Sequence, residues 1–542
     1  MREWEDHPHQ TPPCSCQQLL KRSKFAAVDT IDGHIVSPAA LVVLPEPLQT
    51  ALQFSASSQI WPSLEWFVKQ FKQSIKQWSD DNKMPFFPLQ SCDSFVRAHW
   101  QQHLQAAKGS ITFDDVQHLR KLFSNLVVFG QDHQPDHVMI FCPMRFWKMV
   151  HDTFFDQTVY TDTSLTAQQA HDRVCSNIPA NLKRDLPWAW QYKQPLPFAY
   201  VLPKQKKAWT TARPIIAYSK SPIGIGLKAA ALVLARVTKL VFPDSFDGNL
   251  VSIFHDLHRF FRGAPVDQAL TFVNDDLIGF FTSIPQDRIL HSVREVLQRY
   301  MQAVRCDHTH TFSVTLHEEQ FPGQVFKGKT SAKQVNIQQL LQIVELSFKA
   351  NMFVALGTVF AQVRGSTIGN QVSPIISSIT VMMQEHQWQQ DFSAFRSNNR
   401  WSFFARRYVD NRFIIFAQEL RRTSALRALC DLDFYQAPVE IEVVHDNHFL
   451  GFNVDVTHRS VRFMMPKHAW QFRLPTSAGC KSHMLSSFRS RASLILQHTL
   501  PLEHVAEDIE RLFHMYIKFG YSSQLLKPIC DRMLSKVKRP AE

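Results

Sequence analysis

Two apolar runs around a short polar centre mark residues 403–416. Phe403 and Phe404 precede Arg407-Tyr408-Val409-Asp410-Asn411-Arg412, and Phe413-Ile414-Ile415-Phe416 follow. The pattern predicts two buried strands joined by a tight turn, with Asp410 and Asn411 at its tip. A carboxylate on such a hairpin is positioned by packing, which suits metal binding; Asp-Asn is equally a preferred pair in any tight turn. Upstream, residues 272–278 read as a strand running into a turn and a helix, with Asp276 at the strand's exit and Asp275 on its opposite face. Between these two sites, residues 364–374 read as a flexible loop opening a helical pattern over 375–385. Gly365 and Gly369 there let backbone approach a ligand closely.

The N-terminal third has a different character. Residues 1–60 are rich in Pro, Gln and His and show little periodicity, predicting a poorly ordered lead-in. Ser63 caps a helical pattern with Leu64, Phe67, Val68, Phe71, Ile75 and Trp78 on one face. A second pattern follows Thr112, a buried strand is predicted over 137–142, and a helix over 146–155. Residues 61–199 are therefore expected to be mainly helical. From about 200 the chain turns basic and extended (Leu202-Pro203-Lys204-Gln205-Lys206-Lys207), then predicts a strand over 213–218 and a helix over 227–240. Basic strands facing a cleft suit a triphosphate; a solvated edge explains them as well. Residues 306–333 lack periodicity and read as an insertion.

Composition narrows the class. A chain of 542 residues is too long for one core and predicts two to four domains. Hydrophobic content of 45% and charged content of 20% are those of a folded protein. The net charge of +12 points to nucleic acid or another anionic partner. The 12 Trp and 43 Phe supply core and stacking surfaces. Nine scattered Cys argue for a reducing compartment rather than a disulfide framework. His7, His9, Cys14 and Cys16 have no standard zinc-finger spacing, nor do Cys306, His308 and His310. The start lacks a signal-peptide core, and the apolar stretch 229–241, broken by Arg236 and Lys239, is too short to span a bilayer. The expectation is an intracellular soluble protein.

Two carboxylates on neighbouring strands, Asp276 and Asp410, can hold two divalent ions that clamp the attacking and leaving oxygens of a phosphoryl displacement. The order and spacing of the motifs resemble reverse transcriptases of the Penelope-like retroelement family, which is related to telomerase. The 276–285 run resembles the family's first acidic motif, with Ser283 in place of an Asn. Gly365, Gly369, Ser373, Pro374, Met382 and Glu385 match its Gly-rich motif, from which Ile368 and Asn370-Gln371 depart. Tyr408-Val409-Asp410 matches the catalytic box, with Asn411 where a second Asp is usual. Arg213-Pro214-Ile215 resembles the segment that meets the incoming triphosphate, with Lys204 before it, and Phe449-Leu450-Gly451-Phe452 the primer-grip turn. Asp132-His133 resembles an upstream Asp-Lys segment, and 477–481 with Arg489 and Arg491 the thumb.

The resemblance, covering roughly 130–525, implies an α+β right-hand polymerase with a mainly helical N-terminal extension. The implied divisions are a lead-in (1–60), a helical region (61–199), fingers (200–270), a palm (271–460) with an insertion near 303–333, and a thumb (461–542). It implies an RNA-directed DNA polymerase using two Mg2+ ions, or Mn2+, an RNA template, a DNA primer and deoxynucleoside triphosphates. Asp276, Asp410 and Asn411 would be catalytic, and Asp276, the Leu277 carbonyl and Asp410 would be metal ligands. Arg213, Lys204, Phe281, Gly365 and Gly369 would face the nucleotide, with Phe281 as an aromatic gate under the sugar or simply core. Leu450, Gly451, Lys481, Arg489 and Arg491 would face nucleic acid. From 462 to 539 there are 13 Lys or Arg against 5 Asp or Glu, which fits a surface gripping phosphates. Two departures matter: Asn411 itself, and the absence of Lys between Asn411 and Pro466. They leave open a catalytically decayed or domesticated nucleic-acid-binding protein, and an RNA-dependent RNA polymerase as a third reading. No GIY-YIG nuclease segment precedes Glu542, so the expectation is either a nuclease-less type or a truncated chain. A nuclear setting is implied by the family and by Lys536-Val537-Lys538-Arg539.

Overall fold

The computed structural model describes residues 11–12, 14, 30–31, 34–36, 44, 48–49, 52, 60–61, 63–82, 93–100, 111–132, 134–207, 209–316, 332–467, 471–472 and 481–537. Helices and mostly antiparallel sheets are mixed along the chain.

The N-terminal region departs from the mainly helical expectation. Strands β1 (Thr30–Ile31) and β2 (Ile35–Val36) join β3 (Val127–Gln131) and β4 (Gln134–Phe141) in a four-stranded sheet of order β1-β2-β4-β3. Two of its strands come from the expected lead-in, most of which lies outside the described residues. Helical patterns here were local and visible, whereas this sheet is assembled from segments about a hundred residues apart. Helices Leu64–Asp81 and Phe113–Leu122 start where Ser63 and Thr112 cap them. In the first, Val68 is buried but Trp78 remains 53% exposed, so its apolar stripe is only partly covered. Helix α1 (Pro143–Phe154) follows β4 directly.

A five-stranded sheet collects β5 (Tyr160–Asp162), β6 (Phe198–Pro203), β7 (Ala212–Ala217) and two strands from far downstream, Met352–Ala355 and Thr358–Gln362. The division expected at 200–270 therefore cuts across a sheet that begins earlier and borrows strands from the expected palm. Extended backbone ends at Pro203, and Gln205–Lys207 form a 3-10 turn.

The central sheet has the order Phe403–Tyr408, Asn411–Ala417, β8 (Leu270–Ile278), Glu440–Val444, all antiparallel. Of its two inner strands, Asn411–Ala417 is apolar on both faces over 413–416: Phe413, Ile414, Ile415 and Phe416 are all buried, as a strand covered on two sides requires. Helix Ser373–Asp391 is buried around much of its girth, with Ser377 and Ser378 allowing close approach. The expected insertion is partly a hairpin, β9 (Thr311–Val314) with β10 (Lys333–Asn336), and 317–331 lie outside the described residues.

A small sheet of His448–Phe449, Phe452–Asp455 and Ser460–Phe463 abuts the central one. Asn274 Nδ2 of β8 donates to the His448 carbonyl at 3.1 Å, linking the two. The C-terminal helices Lys481–His498, Glu503–Lys518 and Ser523–Val537 enclose their own core around Phe488, Ile509, Leu512 and Tyr516. Arg462 anchors this bundle by pairing with buried Asp508 at 2.6 Å. Among the described residues, no helix is long and apolar enough to cross a membrane.

Candidate active site

Side chains alternate along a strand, so neighbours on β8 serve opposite faces. Asp275 opposes Arg412 and Asp276 opposes Asn411. Asp275 turns inward and pairs with Arg412 at 2.6 Å, both 1% exposed, so it cannot stand in for a second catalytic-box carboxylate. Asp276 is half-buried on the other face, where Asn411 Nδ2 donates to its Oδ1 at 2.9 Å.

The turn differs from expectation by one residue. Its central pair is Val409-Asp410, and Asn411 already belongs to the following strand, opposite Tyr408. Val409 sits at φ 58°, a left-handed conformation that a β-branched residue adopts only under constraint. The Asp410 carbonyl accepts the Leu277 N–H at 2.8 Å, fastening the turn to the exit of β8. A strand residue directs its N–H and C=O to the same side, so the Leu277 carbonyl also faces the turn. Burial pushes the Asp410 carboxyl pKa up, and the Asp276 carboxylate adds to this; Arg213 and Arg407 oppose it. Asp276 and Asp410 thus share one electrostatic field. Asn411 Oδ1 is buried without a hydrogen-bond partner. Asp276, Asp410 and this orphaned amide oxygen are the atoms that could hold a divalent cation.

The constraint on the turn is a buried charge cluster that the sequence did not reveal. Arg407, fully buried, donates Nε to Glu385 Oε1 at 2.6 Å and Nη2 to Ser378 Oγ at 3.2 Å. Its Nη1 donates to the Val409 carbonyl and lies 3.3 Å from Asp247. Tyr435 OH donates to the same Glu385 oxygen at 2.7 Å. Burial works against the Arg407 charge, but Glu385 and then Asp247 outweigh it and hold its pKa above the ordinary value. Glu385 entered the sequence motif without a role; here it neutralises the residue that grips the turn.

Cations come from the five-stranded sheet. Arg213 on β7 pairs through Nε with Asp132 at 3.2 Å, and Asp132 N–H donates to the Pro203 carbonyl at 2.9 Å. Lys204, just beyond β6, has its pKa lowered by burial and then by Arg213, while Asp132 and Asp410 pull it back. Arg213 and Lys204 are thereby brought into the field of Asp410. Asp132 acquires an orienting role the sequence did not assign. Glu442 opposes Asp276 on the neighbouring strand and lies 3.6 Å from Lys207, placing a further carboxylate on this face that sequence reasoning missed. Its alternation in Glu440-Ile441-Glu442 was the available signal.

The Gly-rich segment joins the two sheets and is packed rather than loose. Gly365 (φ 73°) lies so close to Phe281 and Thr282 that a Cβ would fall 2.2 Å from the Phe281 carbonyl oxygen. Ser366 N–H donates to that carbonyl at 2.7 Å. Gly369 (φ 105°) leaves no room for a Cβ against the Ile216 carbonyl on β7, and Ile216 N–H donates to Ile368 at 2.9 Å. Ser366, Thr367 and Asn370 are all buried. Phe281 is half-buried, edge-on to Phe280 at 4.9 Å.

The expected nucleic-acid contacts divide. Leu450 (φ 51°) and Gly451 (φ 83°) form the turn between the first two strands of the small sheet. Arg489 is exposed. Arg491 is instead engaged inside the bundle: it donates to Tyr516 OH at 3.1 Å and to the Gln471 carbonyl at 2.6 Å, and stacks on Phe472. Its guanidinium, half-buried, lies over the rings of Phe472 and Tyr516. Lys481 opens its helix, and its side chain lies outside the described residues.

Against solved structures, apo telomerase from Candida tropicalis matches with a TM-score of 0.55, covering 98% of this chain and 85% of that one at 12% identity. The fold resembles that of telomerase. Telomerase from Candida albicans, solved in complex with a TWJ fragment of telomeric RNA, matches with a TM-score of 0.51 over 76% of this chain, at 12% identity. The chain spans only 63% of the length of that relative. No protein-family model and no curated protein matches the sequence.

Proposed function

We propose that the chain is an RNA-directed DNA polymerase of the Penelope-like type, extending a primer 3′-hydroxyl on an RNA template with deoxynucleoside triphosphates. One observation supports the reading: Asp410, at the turn of the central sheet beside Asp276, also lies in the field of Arg213 and Lys204 from the five-stranded sheet. Acidic and basic groups facing each other across a seam are what a metal-bound triphosphate needs. In this reading the central sheet is the palm, the five-stranded sheet belongs to the fingers and the C-terminal bundle is the thumb.

The donor set is all oxygen, two carboxylates and the unpartnered Asn411 Oδ1, and it suits a hard cation such as Mg2+. When bound, two such ions would polarise the attacking hydroxyl and neutralise charge on the leaving oxygen. Arg213, oriented by Asp132, presents a planar fork to the triphosphate. In this reading Lys204, whose pKa burial lowers, would give the proton to the leaving pyrophosphate; no Lys follows the hairpin before Pro466. In the same reading Phe281 would set its ring against a ribose 2′-hydroxyl and so favour deoxynucleotides.

Asn411 favours one second reading, a decayed polymerase that only binds nucleic acid. Primer extension on an annealed RNA template with Mg2+ separates the two. Deoxynucleotide incorporation that is lost in Asp276→Ala supports catalysis. Duplex binding without incorporation in the wild type sinks it.

A further inference from the structure

Three ligating side chains converge far from this seam. Cys14, His34 and Cys142 each contribute one ligand atom, and these atoms lie within 4.8 Å of one another. Cys142 Sγ is 3.7 Å from Cys14 Sγ, which is 3.9 Å from His34 Nδ1. The two cysteines stand 128 residues apart in sequence, so the fold alone brings them together. His34 directly precedes β2 and Cys142 directly follows β4. The antiparallel pairing of Ile35 with Phe141 sets the two flanking residues side by side, and Cys142 N–H donates to the His34 carbonyl at 2.8 Å.

The separations suit zinc. With Zn–S of about 2.3 Å and Zn–N of about 2.0–2.1 Å, a tetrahedral centre places two sulfurs about 3.8 Å apart and sulfur and nitrogen about 3.6 Å apart. A disulfide needs its sulfurs at about 2.05 Å, and neither cysteine is in a disulfide. Two thiols in ordinary contact have a similar spacing, but such contact does not also bring an imidazole nitrogen to the same point. Cys142 is moreover the N-cap of α1 and its side chain makes no capping hydrogen bond. That helix end carries partial positive charge, which suits an anionic ligand.

The geometry points to a structural Zn2+ site formed by Cys14, His34 and Cys142, with one coordination position left for a fourth group. Binding forms two Zn–S bonds and one Zn–N bond and releases two thiol protons to solvent. It would fasten residue 14 to the ends of the two inner strands of the N-terminal sheet, independently of any polymerase activity.

The test uses the full chain, purified under reducing conditions and titrated with Zn2+ and separately with Co2+. About one Zn2+ per chain, lost in His34→Ala, supports the site. So does a thiolate-to-Co2+ charge-transfer band that falls by about half in Cys14→Ser. Cys14 is exposed, so its variant keeps the fold even if Cys142→Ser, at a buried position, does not. The proposal is overturned if the wild type takes up no stoichiometric Zn2+, or if Cys14→Ser and His34→Ala bind it as the wild type does. Recovery of a Cys14–Cys142 disulfide from the freshly isolated chain overturns it equally.

Discussion

Glu385→Ala is the sharpest probe of how the candidate site is held. Glu385 is 1% exposed and receives Arg407 at 2.6 and 3.3 Å and Tyr435 OH at 2.7 Å. Truncation leaves a buried guanidinium whose remaining acidic partner, Asp247, lies 3.3 Å away. Breaking one side of a buried pair costs about 3–5 kcal/mol. Because Asp247 survives, the lower end of about 3 kcal/mol is expected, with about 1 kcal/mol more for the stranded Tyr435 hydroxyl. Against a total stability of about 5–15 kcal/mol, the variant stays mostly folded at low temperature. It should nonetheless lose activity, because Arg407 no longer holds the Val409 carbonyl squarely and a displacement of about 1 Å at Asp410 costs about a hundredfold. Urea unfolding followed by tryptophan fluorescence gives the first quantity. Primer extension at a temperature where both proteins are folded gives the second. Tyr435→Phe, which removes one hydrogen bond to a charged group, should cost about 1.5–3 kcal/mol. A Glu385→Ala protein within about 1 kcal/mol of wild type and equally active would refute the idea that this cluster positions the turn.

Three further outcomes are expected. The Asp410 carboxyl pKa is raised in the folded chain, so folding binds protons. The stability this confers is present below the ordinary Asp pKa of about 3.9 and lost as pH rises through the folded value; in the metal-free chain, melting temperature measured against pH should show that decline, and Asp410→Asn should flatten it. Asn411→Asp sets a third carboxylate beside Asp276, so it should melt lower than wild type in EDTA yet gain more from added Mg2+; an unchanged Mg2+ response would exclude position 411 from the metal's neighbourhood. Gly369→Ala places a Cβ about where the Ile216 carbonyl stands, at a φ of 105°, and should cost about 1–3 kcal/mol and at least about tenfold in extension; wild-type melting and activity would show that the seam between the sheets is adaptable.

What could be read from the chain was what is local. The run from Phe413 to Phe416 announced a strand buried on both faces, and the alternation at Asp275-Asp276 correctly separated an inward from an outward carboxylate. The turn lies one residue earlier than the Asp-Asn preference predicts, because Arg407 grips the Val409 carbonyl and no local pattern carries that contact. A charged residue in a strand reads as surface; only the assembled fold brings Glu385 and Asp247 to it. Glycines at 365 and 369 suggested looseness, whereas each is small because a strand or turn of another element presses on it. The sheets that draw on Thr30, Met352 and Thr358 depend on pairings across long loops, which no local pattern encodes. For the same reason His7, His9, Cys14 and Cys16 drew attention as a sequence cluster while His34 and Cys142 did not. Arg491 shows the converse error: its charge counted toward a phosphate grip, but its partners are aromatic rings of the bundle.

Val409 deserves a glycine on conformational grounds and does not have one. A left-handed valine costs about 1–3 kcal/mol, and glycine would reach that shape freely, along with many others. The valine therefore works as a filter on disorder: with few alternative shapes open to the turn, the neighbouring carboxylate is confined to a narrow distribution of positions before anything binds. Affinity for an incoming ion then loses little to the ordering of its ligand, and the entropy has already been given up during folding.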